Sequence, residues 1–201
     1  MKIGILALQG AFIEHQVILD RLGVESVQVR LARNLVGLSG LIIPGGESTT
    51  IGKLAVDFDL LDPLRAFGME HTVWGTCAGA IFLSRDVHRA QPLLGLMDIV
   101  VERNAFGYQI DSFETELRIP CLDTYEPKAK PFHGVFIRAP LIESVGNGVE
   151  VLASLPDGRI VAARQGNLLA TSFHPELTDD DRFHSYFLDI AGGMLDPARV
   201  S

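Results

Sequence analysis

Thr72-Val73-Trp74-Gly75-Thr76-Cys77-Ala78-Gly79-Ala80-Ile81-Phe82-Leu83 passes from an apolar strand pattern into a helix-compatible run that should stop near Ser84. Between the two sits Gly75-x-Cys77-x-Gly79, the spacing of a nucleophile elbow. A tight strand-to-helix turn crowds backbone against backbone, so glycine is needed where a Cβ would collide. The central residue then stands at a strained corner above a sheet edge, at a helix N-terminus whose amides favour thiolate over thiol. The same residues are compatible with a buried core cysteine, because free cysteine packs as a small hydrophobe.

Upstream, Ile3 to Leu8 is a continuous apolar run, as in a strand covered on both faces. Gln9-Gly10 closes it, and Phe12 to Leu22 reads as a helix ended by Gly23. Glu25 to Val29 and Leu41 to Ile43 read as further strands, with Leu31 to Leu38 as a connector of ambiguous type. This alternation predicts an α/β fold: three layers, a mostly parallel central sheet, and helices on both faces. Sites in such folds lie beyond the carboxyl ends of the strands. Pro44-Gly45-Gly46-Glu47-Ser48-Thr49-Thr50 falls at such an end. Its glycines free backbone N–H groups to face a ligand, and Ser48 or Thr49 is the expected cap of a helix over Ile51 to Val56. A plain turn followed by an N-cap explains the same residues. A phosphate-binding P-loop does not, because Lys53 comes too late. A helix over Leu60 to Phe67, ended by Gly68, leads to the elbow strand.

After Ala90, Pro92, Gly95, Gly107 and Pro120 break the chain into short pieces. Ile99 to Val101, Gln109 to Leu117 and Val135 to Ile137 read as added antiparallel strands, and Asp123 to Lys130 as an exposed loop. Val149 to Leu155, Ile160 to Ala163 and Leu168 to Phe173 read as strands joined by turns at Asp157-Gly158 and Gly166-Asn167. Asp180 to Ala191 is the last helix, stopped by Gly192-Gly193. Residues 1–201 are expected to form a single domain.

Of six histidines, only His174 directly follows a firm strand. His184 falls mid-helix and reads as a surface residue; His71 lies on the entering side of the elbow strand, and His88 and His133 read as loop residues. If the strand before His174 lies near the elbow strand, His174 reaches the Cys77 thiol, and Glu176 can fix its tautomer. That completes a Cys77-His174-Glu176 triad of nucleophile, base and orienting acid. The alternative is a strand-to-helix loop with a solvated glutamate. A thiolate beside an imidazolium suits attack on a carbonyl carbon, and the oxyanion needs donors. Position offers two: the amide of Ala78 and the freed backbone at Gly45-Gly46. The class implied is acyl transfer through a thioester.

Composition excludes other classes. A net charge of −8 argues against general nucleic-acid binding. Two cysteines make no disulfide scaffold, and no metal-ligand spacing or Gly-x-Gly-x-x-Gly fingerprint occurs, so neither metal nor cofactor is expected. The first apolar run is too short for a signal peptide, no run is long enough to span a bilayer, and a cytoplasmic protein is the expectation.

The motif set resembles the class I, or triad, glutamine amidotransferases, and within them the glutaminase subunits of pyridoxal 5′-phosphate synthases. The matching pieces run from end to end: Ile3 to Ala11, Pro44 to Thr50, Gly75 to Ala80, Val101 to Phe106, Asp111 to Glu114, Gly134 to Pro140, Ile160 to Gln165, and Ser172 to Leu177. The elbow and the His-x-Glu pair are common to all triad amidotransferases; the other pieces are narrower. The resemblance implies that Cys77, His174 and Glu176 hydrolyse L-glutamine to L-glutamate and ammonia. It also implies an oxyanion hole from the Gly46 and Ala78 amides, and glutamine binding by Gly46, Glu47, Ser48, Arg103, Ile137 and Arg138. It further implies a (β/α)₈-barrel synthase partner in a large hetero-oligomer, glutaminase activity mainly in that complex, and partner-responsive segments at Gln9-Gly10 and Gly45-Gly46. One departure stands out: the family commonly reads Phe-Gly-Arg-Gln where this chain has Phe106-Gly107-Tyr108-Gln109. Catalysis is expected to survive it, since the triad is present. A cysteine peptidase or γ-glutamyl hydrolase would share the elbow, and a binding protein with an idle Cys77 is the non-enzymatic alternative.

Overall fold

Alternation along the central strands decides which side chains meet which helices. A computed structural model describes residues 1–103, 112–125 and 130–195. The first half of the chain forms β1 (Lys2–Leu6), α1 (Phe12–Arg21), β2 (Glu25–Val29), β3 (Gly40–Ile43), α2 (Ser48–Asp57), α3 (Leu61–Glu70), β4 (Thr72–Thr76) and α4 (Ala78–Leu83). The middle forms β5 (Ser84–Asp86), β6 (Met97–Glu102), β7 (Ser112–Leu117), β8 (Phe132–Ile137) and β9 (Leu141–Val145). The rest forms β10 (Glu150–Ser154), β11 (Ile160–Gln165), β12 (Leu168–Thr171) and α5 (Arg182–Ala191).

The main sheet runs β2-β1-β3-β4-β12-β11-β9-β6-β5, with β10 paired to β11. Strands β2, β1, β3, β4 and β12 pair in parallel. Beyond them β11 pairs antiparallel with β12, β10 and β9, and β9 with β6. β7 and β8 form a separate antiparallel ribbon. Two cores result. Leu41, Ile43, Val73, Leu168 and Ala170 point to the face covered by α2, α3 and α4. Ile42, Trp74 and Leu169 point to the other, against α5 and the β7–β8 ribbon. Successive residues of one strand thus feed opposite cores, as a period of two requires.

Because the central strands are parallel, the ends of β1, β3, β4 and β12 open at one rim. Gln9-Gly10, Gly45-Gly46, Cys77 and His174 lie just beyond those ends. The first two segments clasp each other: the Ala11 N–H donates to the Gly45 carbonyl at 3.0 Å, and the Glu47 N–H to Gln9 Oε1 at 2.7 Å.

Several boundaries differ from expectation. Gly68 does not end α3 but lies inside it, buried against Leu96. Glu47, not Ser48 or Thr49, caps α2, its carboxylate accepting from the Thr49 and Thr50 amides. The connector after β2 contains a 3₁₀ turn over Ala32–Leu35. β5 and β9 were not foreseen, and His133 is a strand residue of β8 rather than a loop residue. Asn104, Ala105 and Phe106 of the Val101–Phe106 motif, Tyr108, Asp111 and the centre of the loop near Pro127 lie outside the described residues. Among the described residues no helix is long and apolar enough to cross a membrane.

Candidate active site

At the elbow, Cys77 takes φ +48° and ψ −106°, a conformation that L-residues adopt at a cost of about 1–3 kcal/mol. The surroundings over-determine it. The Cys77 N–H donates to the Thr171 carbonyl of β12 at 2.8 Å, and its own carbonyl accepts from the Ala80 and Ile81 amides. A Cβ on Gly79 would strike the Ile43 carbonyl oxygen, and one on Gly75 the Gly79 carbonyl. Only glycine lets α4 turn so sharply back over β3. The amide of Ala78, first residue of α4, has no partner within the helix.

His174 follows β12, the strand paired directly with β4. Its N–H is tied to the Val135 carbonyl of β8 at 2.8 Å, and Pro175 starts a single 3₁₀ turn over Pro175–Leu177. That turn brings Glu176 Oε1 to 2.7 Å from His174 Nδ1. A carboxylate only accepts, so Nδ1 carries the proton and Nε2 is left for the sulfur. His174 and Glu176 are buried, at 8% and 6% exposure. Burial alone would lower the His174 pKa; hydrogen bonds to Cys77 and Glu176 outweigh it and lift it to about 10. Burial pushes Glu176 upward, but the two imidazoles His15 and His174 hold it below the ordinary value. The Gly45 turn closes on the pair: a Cβ there would sit 2.5 Å from His174 Cε1 and 3.4 Å from the Cys77 Cβ.

The other anticipated residues form a rim around this centre. The Ile137 carbonyl lies 3.9 Å from Cys77 Sγ, and Arg138 follows at φ +44°, exposed. Gly46 packs against Gln9, and Ser48 is buried beside Gln91. Arg103 is half-buried, donating to Thr49 Oγ1 at 3.1 Å, Gln91 Oε1 at 3.0 Å and Glu47 Oε1 at 3.0 Å. The Glu47 carboxyl is desolvated in part, yet hydrogen bonds from Thr50 and Thr49 hold it near 2. Its side chain is therefore engaged by helix α2 and by Arg103.

Sequence reading missed the polar residues behind Glu176. His184 is not a surface residue: it is fully buried, as is His15. His15 Nδ1 and His184 Nε2 are 2.9 Å apart, and His15 Nε2 reaches Thr76 Oγ1 at 3.3 Å. The usable signal was periodicity, since His15 shares a helical stripe with Ile18 and Leu19, and His184 one with Phe183 and Phe187. The exposed histidines are occupied otherwise. His88 meets Glu143, and His133 bridges Glu114 and Glu116. Burial pushes the second thiol, Cys121, up to about 11.

The geometry has counterparts. The family model described as the SNO glutamine amidotransferase family matches residues 5–191. The chain is 60% identical to "Pyridoxal 5'-phosphate synthase subunit PdxT" of Herpetosiphon aurantiacus, across 94% of this chain and all of that one. It is 57% identical to the protein of that name from Moorella thermoacetica, across 96% of this chain and all of the relative. A crystal structure of a glutamine amidotransferase superposes with a TM-score of 0.88 at 51% identity, covering 94% of this chain and 98% of the other. The structure of PurLQS from Thermotoga maritima shares the fold, with a TM-score of 0.68 at 15% identity over 94% of this chain and 97% of that one.

Proposed function

The chain belongs to the SNO glutamine amidotransferase family, and we propose that it hydrolyses L-glutamine to L-glutamate and ammonia through Cys77, His174 and Glu176, passing the ammonia to a synthase partner that makes pyridoxal 5′-phosphate. One observation carries this reading. A strained cysteine, an imidazole whose pKa that sulfur helps to raise, and a buried carboxylate 2.7 Å from the imidazole meet at the rim of the parallel strands.

The Cys77 thiolate attacks the side-chain amide carbon of glutamine. The carbonyl π electrons move to oxygen, where the Ala78 and Gly46 amides stabilise them. The intermediate collapses as protonated His174 gives its Nε2 proton to the departing nitrogen, releasing ammonia and leaving a thioester. Neutral His174 then takes a proton from water, which attacks the thioester and restores the thiolate–imidazolium pair with release of glutamate. Glu176 keeps the Nδ1 proton in place through both halves. Arg103, fixed by Glu47, Thr49 and Gln91, supplies a cation for the substrate α-carboxylate; Gly46, Ser48, Ile137 and Arg138 complete the pocket. Glu47 acts chiefly through Arg103.

The partner is proposed to be a (β/α)₈-barrel synthase in a large cytoplasmic hetero-oligomer, with residues 1–201 as one glutaminase domain. Support comes from the names of the relatives and from the motif resemblance. The test mixes the chain with the barrel synthase and measures glutamate and ammonia. Release is expected in the mixture, little from the chain alone, and none with Cys77→Ala. Near-normal release by that variant overturns the assignment.

A further inference from the structure

The triad carboxylate spends only one of its two oxygens on His174. Glu176 Oε2 is buried and has no hydrogen-bond partner at normal geometry among the described residues. The group facing it is His15 Nε2, 3.5 Å away, from helix α1. His15 is itself held from behind by His184 of α5 at 2.9 Å and flanked by Thr76, the residue before the nucleophile. His15, Thr76 and His184 are fully buried. The edge of Trp74 packs both imidazoles, with ring centroids 5.7 and 5.0 Å away. Five groups from four parts of the chain thus run in series: His184, His15, Glu176, His174 and Cys77.

The protons in this series can be placed. A bare imidazole lone pair facing a carboxylate oxygen is repulsive, so His15 carries its hydrogen on Nε2. Its Nδ1 then accepts from His184 Nε2–H, and His184 Nδ1 is left as a buried lone pair without a partner among the described residues. The opposite arrangement would bury an unpaired N–H instead and turn a lone pair toward Glu176, which is worse on both counts. The charged groups facing His15 are Glu176 and His174 from the 3₁₀ turn and Glu14 on its own helix, while Arg21 acts on His184. Burial holds both imidazoles below the ordinary histidine value, so they serve as neutral dipoles.

We propose that His15 is a positioning residue of the glutaminase: its Nε2–H, backed by His184, holds the free oxygen of Glu176 and thereby fixes the carboxylate that orients His174. This rests on the hydrolytic reading above. The role is needed because a buried carboxylate with one oxygen unheld can rotate, and rotation would swing Oε1 away from His174 Nδ1. A shift of a few tenths of an ångström brings His15 Nε2–H into full hydrogen bonding. It would also favour the ionised carboxylate while His174 cycles between imidazolium and imidazole.

The test is run in the assembled complex. His15→Leu is expected to lower kcat on the order of tenfold, the size of one hydrogen bond to a charged group, with KM little changed. The acid limb of kcat/KM should move to higher pH, because Glu176 binds a proton more readily without the donor. His15→Gln, whose amide restores an N–H near the Nε2 position, should recover most of kcat and the original limb. A His15→Leu variant with unaltered kcat and pH profile, beside an inactive Cys77→Ala, overturns this inference alone. A Cys77→Ala variant that still releases ammonia overturns both readings. A measurement on the unaltered chain removes any dependence on folding of the variants. Long-range ¹H–¹⁵N spectra should show His15 as the Nε2–H tautomer near neutral pH, and the Nδ1–H tautomer would overturn the proposal.

Discussion

His174 is a base engaged at both ring nitrogens, by Cys77 on one and by Glu176 on the other, and its pKa near 10 makes stability depend on pH. An unfolded histidine titrates near 6.5. Because the folded value is raised, the proton contributes stability that is fully present below about 6.5 and lost as pH rises through about 10. Urea unfolding across pH 6 to 10 should therefore show an alkaline decline, and Glu176→Gln should make it smaller. An equally steep decline in the variant would show that Glu176 does not help hold the proton. Cys77, His174 and Glu176 were legible in the sequence because each belongs to a short motif whose spacing carries its geometry. His15 and His184 were not, because their contact joins positions far apart in sequence, on two helices brought together on one face of the sheet. A polar residue in an apolar helical stripe shows that something is buried, without showing what it meets.

Helices α2 and α4 carry the site on their N-termini, and each is set by one residue. Replacing Glu47 by Ala removes the acceptor for the Thr49 and Thr50 amides and should cost about 1 kcal/mol. The Glu47 pKa is lowered to about 2, so this contribution is present above the unfolded value near 4.5 and lost as pH falls through about 2. The stability gap between wild type and Glu47→Ala should thus close on acidification, read from denaturation midpoints. A gap of undiminished size at pH 2 would mean that the carboxylate is not the cap. Gly79→Ala should be worse, destabilising by about 1–3 kcal/mol or more, because backbone rather than a flexible side chain occupies the space. The glycines at the elbow were readable as crowding signals. The cap was misassigned because short polar residues are the usual N-caps, and Ser48 and Thr49 stood one and two places past the true start. Glu47 reaches round the turn with a longer side chain, an outcome that depends on the Gly45-Gly46 backbone rather than on propensity.

Across the whole molecule, one sheet divides two cores, and its parallel half was far easier to read than the rest. Apolar runs marked β1, β3, β4 and β12, with glycine close behind the first three and His174 behind the last. β5 and β9 carry no such run, and β9 takes its partners from distant parts of the chain, β6 and β11. Such pairing leaves no local pattern beyond weak alternation. The joined cores nevertheless imply joined unfolding. Trp74 is the only tryptophan and sits in β4, in the middle of the sheet that separates the two cores. It stacks on Phe183 at 5.8 Å and lies 5.6 Å from Phe187, while its neighbour Val73 packs in the opposite core. Phe183 also contacts Phe132 of β8 and Phe173, so it links the ribbon, α5 and the central sheet. If residues 1–201 act as one domain, Trp74 fluorescence and far-UV circular dichroism should give superimposable urea transitions. Phe183→Ala should lower stability by about 3–5 kcal/mol and move both transitions together. A fluorescence transition that shifts while the dichroism midpoint stays would mean that the α5 side opens separately. In that case the imidazole series behind Glu176, which depends on α5 docking, would be lost before the parallel sheet that presents Cys77.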